Sequence, residues 1–204
     1  MTRLIWDAEA DRTYEYGVDR GILNYRLDVP KPWNGLISVE ESEQDAIEVR
    51  AAFDGFTHLN LRFGGNYRCV VTAYSLPDGF QELVGEASLV PGFILTGQAR
   101  VQFDFSYRTM QGPTGYKLHV VHNAVASTLQ AQSTTMKATG EASEFKWRID
   151  AVPPNSTIHR PTSHMIIDSV RANPTSLLNL ENLLYGTSGT TPSFPDQATI
   201  RSLF

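Results

Sequence analysis

The sequence predicts a mainly β chain with minor α content, its helices gathered at the C-terminal end. Two observations carry this. Apolar and polar residues alternate with a period of two in several runs between residues 46 and 151, the mark of strands with one buried face. A helical period emerges late, where Leu177, Leu180 and Leu184 share a face behind a capping Asn173. At 204 residues the chain suits one domain and is thin for two.

Residues 1–30 show no sustained period and read as an N-terminal arm or an irregular strand. A β core over residues 46–168 follows. Its first strand is expected at 46–53, where Ile47, Val49, Ala51 and Phe53 alternate with Glu48 and Arg50. The second, at 57–63, carries Leu59, Leu61 and Phe63. Pairing Phe53 with Phe56 across Asp54-Gly55 would oppose odd to even positions, so a three-residue loop or a bulge at Gly55 is expected, with Phe53 opposite Thr57 and Ala51 opposite Leu59. A third strand at 67–74 would return through Gly64-Gly65-Asn66, setting Phe63 opposite Tyr67, Leu61 opposite Cys69 and Leu59 opposite Val71.

Strands at 101–109 and 115–123 flank the reversal Gly112-Pro113-Thr114-Gly115. The Thr-, Ser-, Gln- and Ala-rich stretch from Ser127 to Ala142 reads as a long exposed loop, followed by strands at 144–151 and 163–168. The more continuously apolar runs Tyr67–Tyr74, Tyr116–Val121 and Ser163–Ile167 are expected to be central strands. Pro174 in the first turn and Gly186 as a stop bound a helix over 174–185, and a second short helix is expected near 195–203, so that residues 174–204 form a helical end. Phe103, Phe105, Tyr107, Phe145, Trp147 and Ile149 are expected to share one interior with Leu180 and Leu184.

Seventeen basic against 22 acidic residues leave a formal charge of −5, which argues against a basic face for nucleic acid or anionic lipid. No apolar run approaches the roughly 18–20 residues of a membrane helix, and the first residues lack the apolar core of a signal peptide. A lone Cys69 excludes an intrachain disulfide and reads as a small buried hydrophobe. His119 and His122, three apart in a strand, point to opposite faces and cannot share an ion without a bulge. His159 and His164 have no third ligand at metal spacing. Glu40, Glu41 and Glu43 read as a solvated loop, and Asp7, Glu9, Asp11 and Glu15 as solvated rather than calcium-binding. No spacing marks a catalytic triad, a phosphate loop or a dinucleotide fingerprint, so the expectation is no catalytic, cofactor or metal residue and no enzyme.

Several collinear blocks resemble a known group of proteins. Tyr14-Glu15-Tyr16-Gly17-Val18-Asp19-Arg20-Gly21, Pro32-Trp33-Asn34-Gly35-Leu36, Phe105-Ser106-Tyr107-Arg108 and Gly115-Tyr116-Lys117-Leu118-His119 lead the series. Arg160-Pro161-Thr162-Ser163-His164, Ile167-Asp168-Ser169, Leu184-Tyr185-Gly186-Thr187 and Leu203-Phe204 complete it. Together they resemble the tail proteins of long-tailed bacteriophages of actinobacteria. The segment between Arg108 and Gly115 is shorter than in that pattern, and Ser42 to Phe56 matches weakly.

The resemblance implies a virion structural protein: a β-sandwich or barrel with a C-terminal flanking helix, forming hexameric rings that stack into the tail tube. It implies self-assembly as the main partnership, contacts with tape measure, tail terminator and distal tail proteins, DNA as passing cargo, no membrane and no cofactor. Six copies of a chain of formal charge −5 make an acidic conduit that repels DNA rather than holding it. The polar loops at Ser42–Asp45 and Ser127–Ala142 would then order against neighbouring subunits. Two other readings stay open: a distal-tail or head–tail connector protein of the same fold, and a glycan-binding β-sandwich using Trp6, Trp33 or Trp147 as platforms.

Overall fold

The computed structural model describes residues 14–25, 28–43, 48–53, 56–62, 66–130, 142–155 and 161–204. Its centre is an eight-stranded antiparallel sheet. The strands run β2 (Lys31–Trp33), β1 (Glu15–Tyr25), β9 (Phe103–Gln111), β10 (Gly115–Gln130), β11 (Phe145–Ala151), β6 (Tyr67–Ala73) and β3 (Leu36–Glu43), with β12 (His164–Asp168) also on β10. Two hairpins stand apart from it: β4 (Glu48–Phe53) with β5 (Phe56–Arg62), and β7 (Ala87–Val90) with β8 (Phe93–Leu95). The helices are α1 (Phe80–Leu83), α2 (Pro174–Tyr185) and α3 (Gln197–Leu203).

The mainly β prediction holds, as an open sheet rather than a closed barrel. The sheet curls until Glu41 of β3 touches Tyr107 of β9 and His119 of β10. Where β1 pairs with β2, a Cβ on Gly21 would lie 2.9 Å from the Trp33 carbonyl oxygen and press on Leu36 Cδ1 of β3, so a larger residue would force the neighbours to shift.

Strand parity sorts the core into two. Phe103, Phe105 and Tyr107 face inward with Leu23, Val71, Trp147 and Ile149, and the one-turn α1 drives Phe80 into the same interior, its ring centroid 5.0 Å from those of Trp33 and Trp147. Ile22, Leu118, Val120 and Ile167 face outward, where Leu177, Leu180, Leu184 and Ile200 of α2 and α3 cover them. The expected common interior is therefore wrong in one respect. Leu180 and Leu184 lie across the sheet from the aromatic residues, and Phe145 is only partly buried. A two-sided strand such as β10 buries odd and even positions alike, and alternation on its neighbours cannot say which side a helix takes.

Other expectations divide in the same manner. The strands at 46–53, 57–63, 67–74, 101–109, 115–123, 144–151 and 163–168 form within two residues at most boundaries, but β9 runs on to Gln111 and β10 to Gln130. Ser127–Gln130, expected as loop, is thus strand, with Ser127 opposite Arg148 and Thr128 opposite Trp147; residues 131–141 lie outside the described set. β5 does not return onto β6, because β6 has β11 on one edge and β3 on the other. Cys69 pairs with Ile149 and Glu41, not Leu61, and β4–β5 is an excursion between paired strands. In that excursion Ala51 does oppose Leu59, but Phe53 opposes Phe56, and the irregularity falls one rung inside, between Ala51 and Ala52.

β12, expected to be central, pairs only with β10 among the described residues. Residues 1–13 lie outside the described set, but 15–25 are the irregular strand rather than an arm, running between β2 and β9. Positive φ angles at Gly17 (62°) and Arg20 (46°) mark the register shifts that erase its period. Glu40, Glu41 and Glu43 are in strand β3, not a solvated loop.

Both predicted helices are present. Asn173 accepts hydrogen bonds from the backbone N–H groups of Thr175 (2.9 Å) and Ser176 (3.3 Å), and Pro174 occupies the position where a missing N–H costs nothing. Asn173→Ala is expected to lower stability by about 1 kcal/mol, read as a shifted urea midpoint with an unchanged m-value.

Candidate functional site

Polar side chains collect at one end of the interior. On β9 and β10, Tyr107 and His119 are register partners and so share the inner face. The next inward partnership on β10 sets Val121 beside His164 of β12. Glu41 reaches the same point from β3 across the curl. His119 Nδ1 lies 3.0 Å from His164 Nε2 and 3.1 Å from Glu41 Oε1, and His119 Nε2 lies 3.0 Å from Thr109 Oγ1. The two imidazole planes are within 15°, and the Tyr107 ring stacks on His119 at 4.5 Å. The Tyr107 hydroxyl donates to Glu41 Oε1 and lies 2.9 Å from the Tyr67 hydroxyl.

Burial opposes charge on Glu41, but hydrogen bonds from His119 and Tyr107, with the nearby imidazoles, outweigh it and hold the carboxyl down at about 2. Burial also pushes His164 down to about 4, against the pull of Glu41, so this imidazole is neutral at pH 7 and its nitrogen is available as a ligand or acceptor. Burial first raises both Tyr67 and Tyr107; Cys69 and Tyr107 add to it at Tyr67 and the Glu41 carboxylate adds to it at Tyr107, so both hydroxyls stay protonated. Cys69, beneath Tyr67, is pushed up to about 12 by burial and is a buried thiol, as expected.

His119 and His122 do face opposite sides. Asn123, at φ 55°, makes the bulge that lets Val121 and then Ala124 both point inward. His122 is left on the helical side, 3.4 Å from Asp104 and edge-on to Phe194. His159, Trp6, Asp7, Glu9 and Asp11 lie outside the described residues. Sequence spacing linked His164 with His159 and left Glu41 in a loop; curl and register instead bring His164, His119 and Glu41 together. Nothing local in the chain signals that meeting.

A second polar cluster joins the sheet to α2. Arg108, its side chain only 9% exposed, grips Asp19 with Nε at 2.9 Å and Nη2 at 2.6 Å, a paired-donor geometry. Its guanidinium sits 4.4 Å from the Tyr116 ring and 3.8 Å from Glu181, which accepts from the Tyr116 hydroxyl at 2.9 Å. Arg20 lies over Tyr185 at 5.4 Å, and the Tyr116 N–H donates to Ser169 Oγ at 2.8 Å. Beside this cluster a cavity of about 540 Å³ opens between β1, the β2–β3 turn and the end of α2, lined by Asp19, Arg20, Pro32, Asn34, Tyr185 and Pro192 among others.

Trp33 and Trp147 are buried in the interior, 5.9 Å apart, and so offer no exposed platform for a sugar. One group of exposed apolar side chains lies on β7–β8, where Leu89 is 62% and Phe93 52% exposed, with Val90 and Ile94 beside them. Among the described residues, the outer edge of β3 pairs with nothing.

No family model and no curated protein matches the chain. Among solved structures it is similar to the PVC sheath/tube terminator of an extracellular contractile injection system in its extended state. That similarity has 16% sequence identity and a TM-score of 0.37, and it covers 76% of this chain and 96% of the other.

Proposed function

We propose that the chain is a structural, non-catalytic tail subunit of a long-tailed bacteriophage, and specifically the tube subunit, assembling into hexameric rings that stack around the path of the DNA. The observation that carries this reading is where the family-like blocks meet. Asp19 and Arg20, Arg108, Tyr116, Ser169 and Tyr185 come from five separate blocks, yet they converge on the cluster around Arg108. β1, β9 and β10 are neighbours in the sheet, and Ser169 and Tyr185 join them from beyond it, so the blocks mark one connected part of the fold.

Surfaces fit for assembly support the reading further. A two-stranded ribbon is marginal alone, and β7–β8 carries four exposed apolar side chains at Leu89, Val90, Phe93 and Ile94. The open edge of β3 is a template for pairing with another chain. In a ring, both would be closed by heterologous contacts that repeat around the axis.

Purified full-length protein at high concentration is expected to sediment as rings or tubes visible by negative-stain microscopy. The Leu89→Ser/Phe93→Ser double variant should keep its β circular dichroism yet shift to the monomer. Wild-type protein that stays monomeric, together with virions whose tail shaft lacks the chain, would overturn the tube reading. A low fixed copy number at one end of the tail would replace it with the distal-tail or connector role.

A further inference from the structure

We infer that Glu41, His119 and His164 form a binding site for a divalent transition-metal ion, with Zn²⁺ the ion best suited to two imidazoles and one carboxylate. This goes beyond the tail reading and does not depend on it. One donor atom from each residue lies within 4.8 Å of the other two. His119 Nδ1, at 3.0 Å from His164 Nε2 and 3.1 Å from Glu41 Oε1, is the middle of the three. Ligands about 2.0–2.1 Å from a tetrahedral zinc are separated by roughly 3.3 Å, so the two pairs about His119 need to part by only a few tenths of an ångström, while His164 and Glu41, within 4.8 Å of each other, settle to the same spacing.

The surroundings orient the donors. Thr109 Oγ1 at 3.0 Å engages Nε2 of His119 and leaves Nδ1 facing the cluster, the outer-shell arrangement that fixes the tautomer of a ligating histidine. Tyr107 flanks both, stacking on the His119 ring and donating to Glu41. In the ion-free protein His119 Nδ1 lies within hydrogen-bond distance of both His164 Nε2 and Glu41 Oε1, contacts that need a proton at this cluster. The ion displaces it, so binding releases protons.

His119 is buried, whereas the Glu41 side chain is 38% exposed, which leaves an approach for the ion and a position for water as the fourth ligand. An ion held here ties β3, the last strand of the sheet, to β10 and β12 across the open side of the curl. Its role is that of a staple rather than a catalyst.

The test uses full-length, untagged protein stripped with a chelator, then titrated with Zn²⁺ by calorimetry and with Co²⁺ by visible absorption. The expected result is one ion per chain, a tetrahedral Co²⁺ spectrum, and an unfolding midpoint that rises with Zn²⁺ concentration. His164→Gln and Glu41→Gln, both on strands at the sheet margin, should each weaken binding at least about 100-fold while retaining the wild-type dichroism. Thr109→Val should weaken it about 10–100-fold. His122→Gln, on the helical side of the sheet, should leave it unchanged. Absence of binding at tenfold excess Zn²⁺ would overturn the site, as would full affinity in both His164→Gln and Glu41→Gln.

Discussion

Phe105→Ala is expected to cost about 3–5 kcal/mol, measured as the fall in unfolding free energy on urea titration. The ring is 2% exposed and lies between Phe103 at 6.0 Å and Tyr107 at 5.8 Å. Its register partners are Leu23 on β1 and Val121 on β10, both fully buried on the same face. Three adjacent strands hold that wall at hydrogen-bonded spacing, so the hole left by the ring cannot collapse and its full cavity cost remains. A loss under about 1 kcal/mol would mean that this face is not the interior. The milder pair Phe105→Leu and Leu180→Val gives a second check. Their costs should add to within about 0.5 kcal/mol, since the two residues belong to cores on opposite sides of the sheet and share no partner.

The division of the core into two faces also separates what the sequence made legible from what it did not. Period-two alternation located Phe103–Tyr107 and Phe145–Ile149 because each strand has one buried face more apolar than the other. Asn173, Pro174 and Gly186 bounded α2 because caps act through hydrogen bonds only a few residues long. These signals are local. Which edge meets which is not. Gly64-Gly65-Asn66 and matching parity argued for a hairpin of β5 with β6, but β6 spends both edges on β11 and β3.

The candidate metal cluster was hidden for a related reason. Glu40-Glu41-Ser42-Glu43 reads as solvated because it contains no apolar residue, yet β3 pairs along β6 and turns Glu41 over the edge of the interior. His164 gains its neighbours from register with β10, and Asn123 shifts the inward parity of β10 through a bulge with no prior mark in the pattern. β1 was illegible for the same cause, with its register slipping at Gly17 and Arg20. Curl, register and bulges are decided between strands, after the local pattern has been spent. The blocks that resemble phage tail proteins mark residues, such as Asp19 and Arg108, whose reason for being together emerges only in three dimensions.

That pair supports the second large effect. Asp19→Ala is expected to cost about 3 kcal/mol, although Asp19 itself is 43% exposed, because its removal strands Arg108 with a side chain only 9% exposed. Glu181 at 3.8 Å is too far to replace two short charge-assisted bonds, and it already accepts from Tyr116. Arg108→Met keeps an unbranched aliphatic stem, gives up the guanidinium over the Tyr116 ring and removes the buried charge, while Asp19 is free to hydrate. The Asp19→Ala/Arg108→Met double variant should therefore be more stable than Asp19→Ala alone, by about 1 kcal/mol or more. The cost of Asp19→Ala should also change little between low and high salt, since burial shields the Arg108 side from mobile ions. Both quantities are read from urea midpoints across the double-mutant cycle. If the double variant is instead the less stable, or if added salt abolishes the cost of Asp19→Ala, the pair is an ordinary surface contact and the cluster around Arg108 does not hold the sheet to α2.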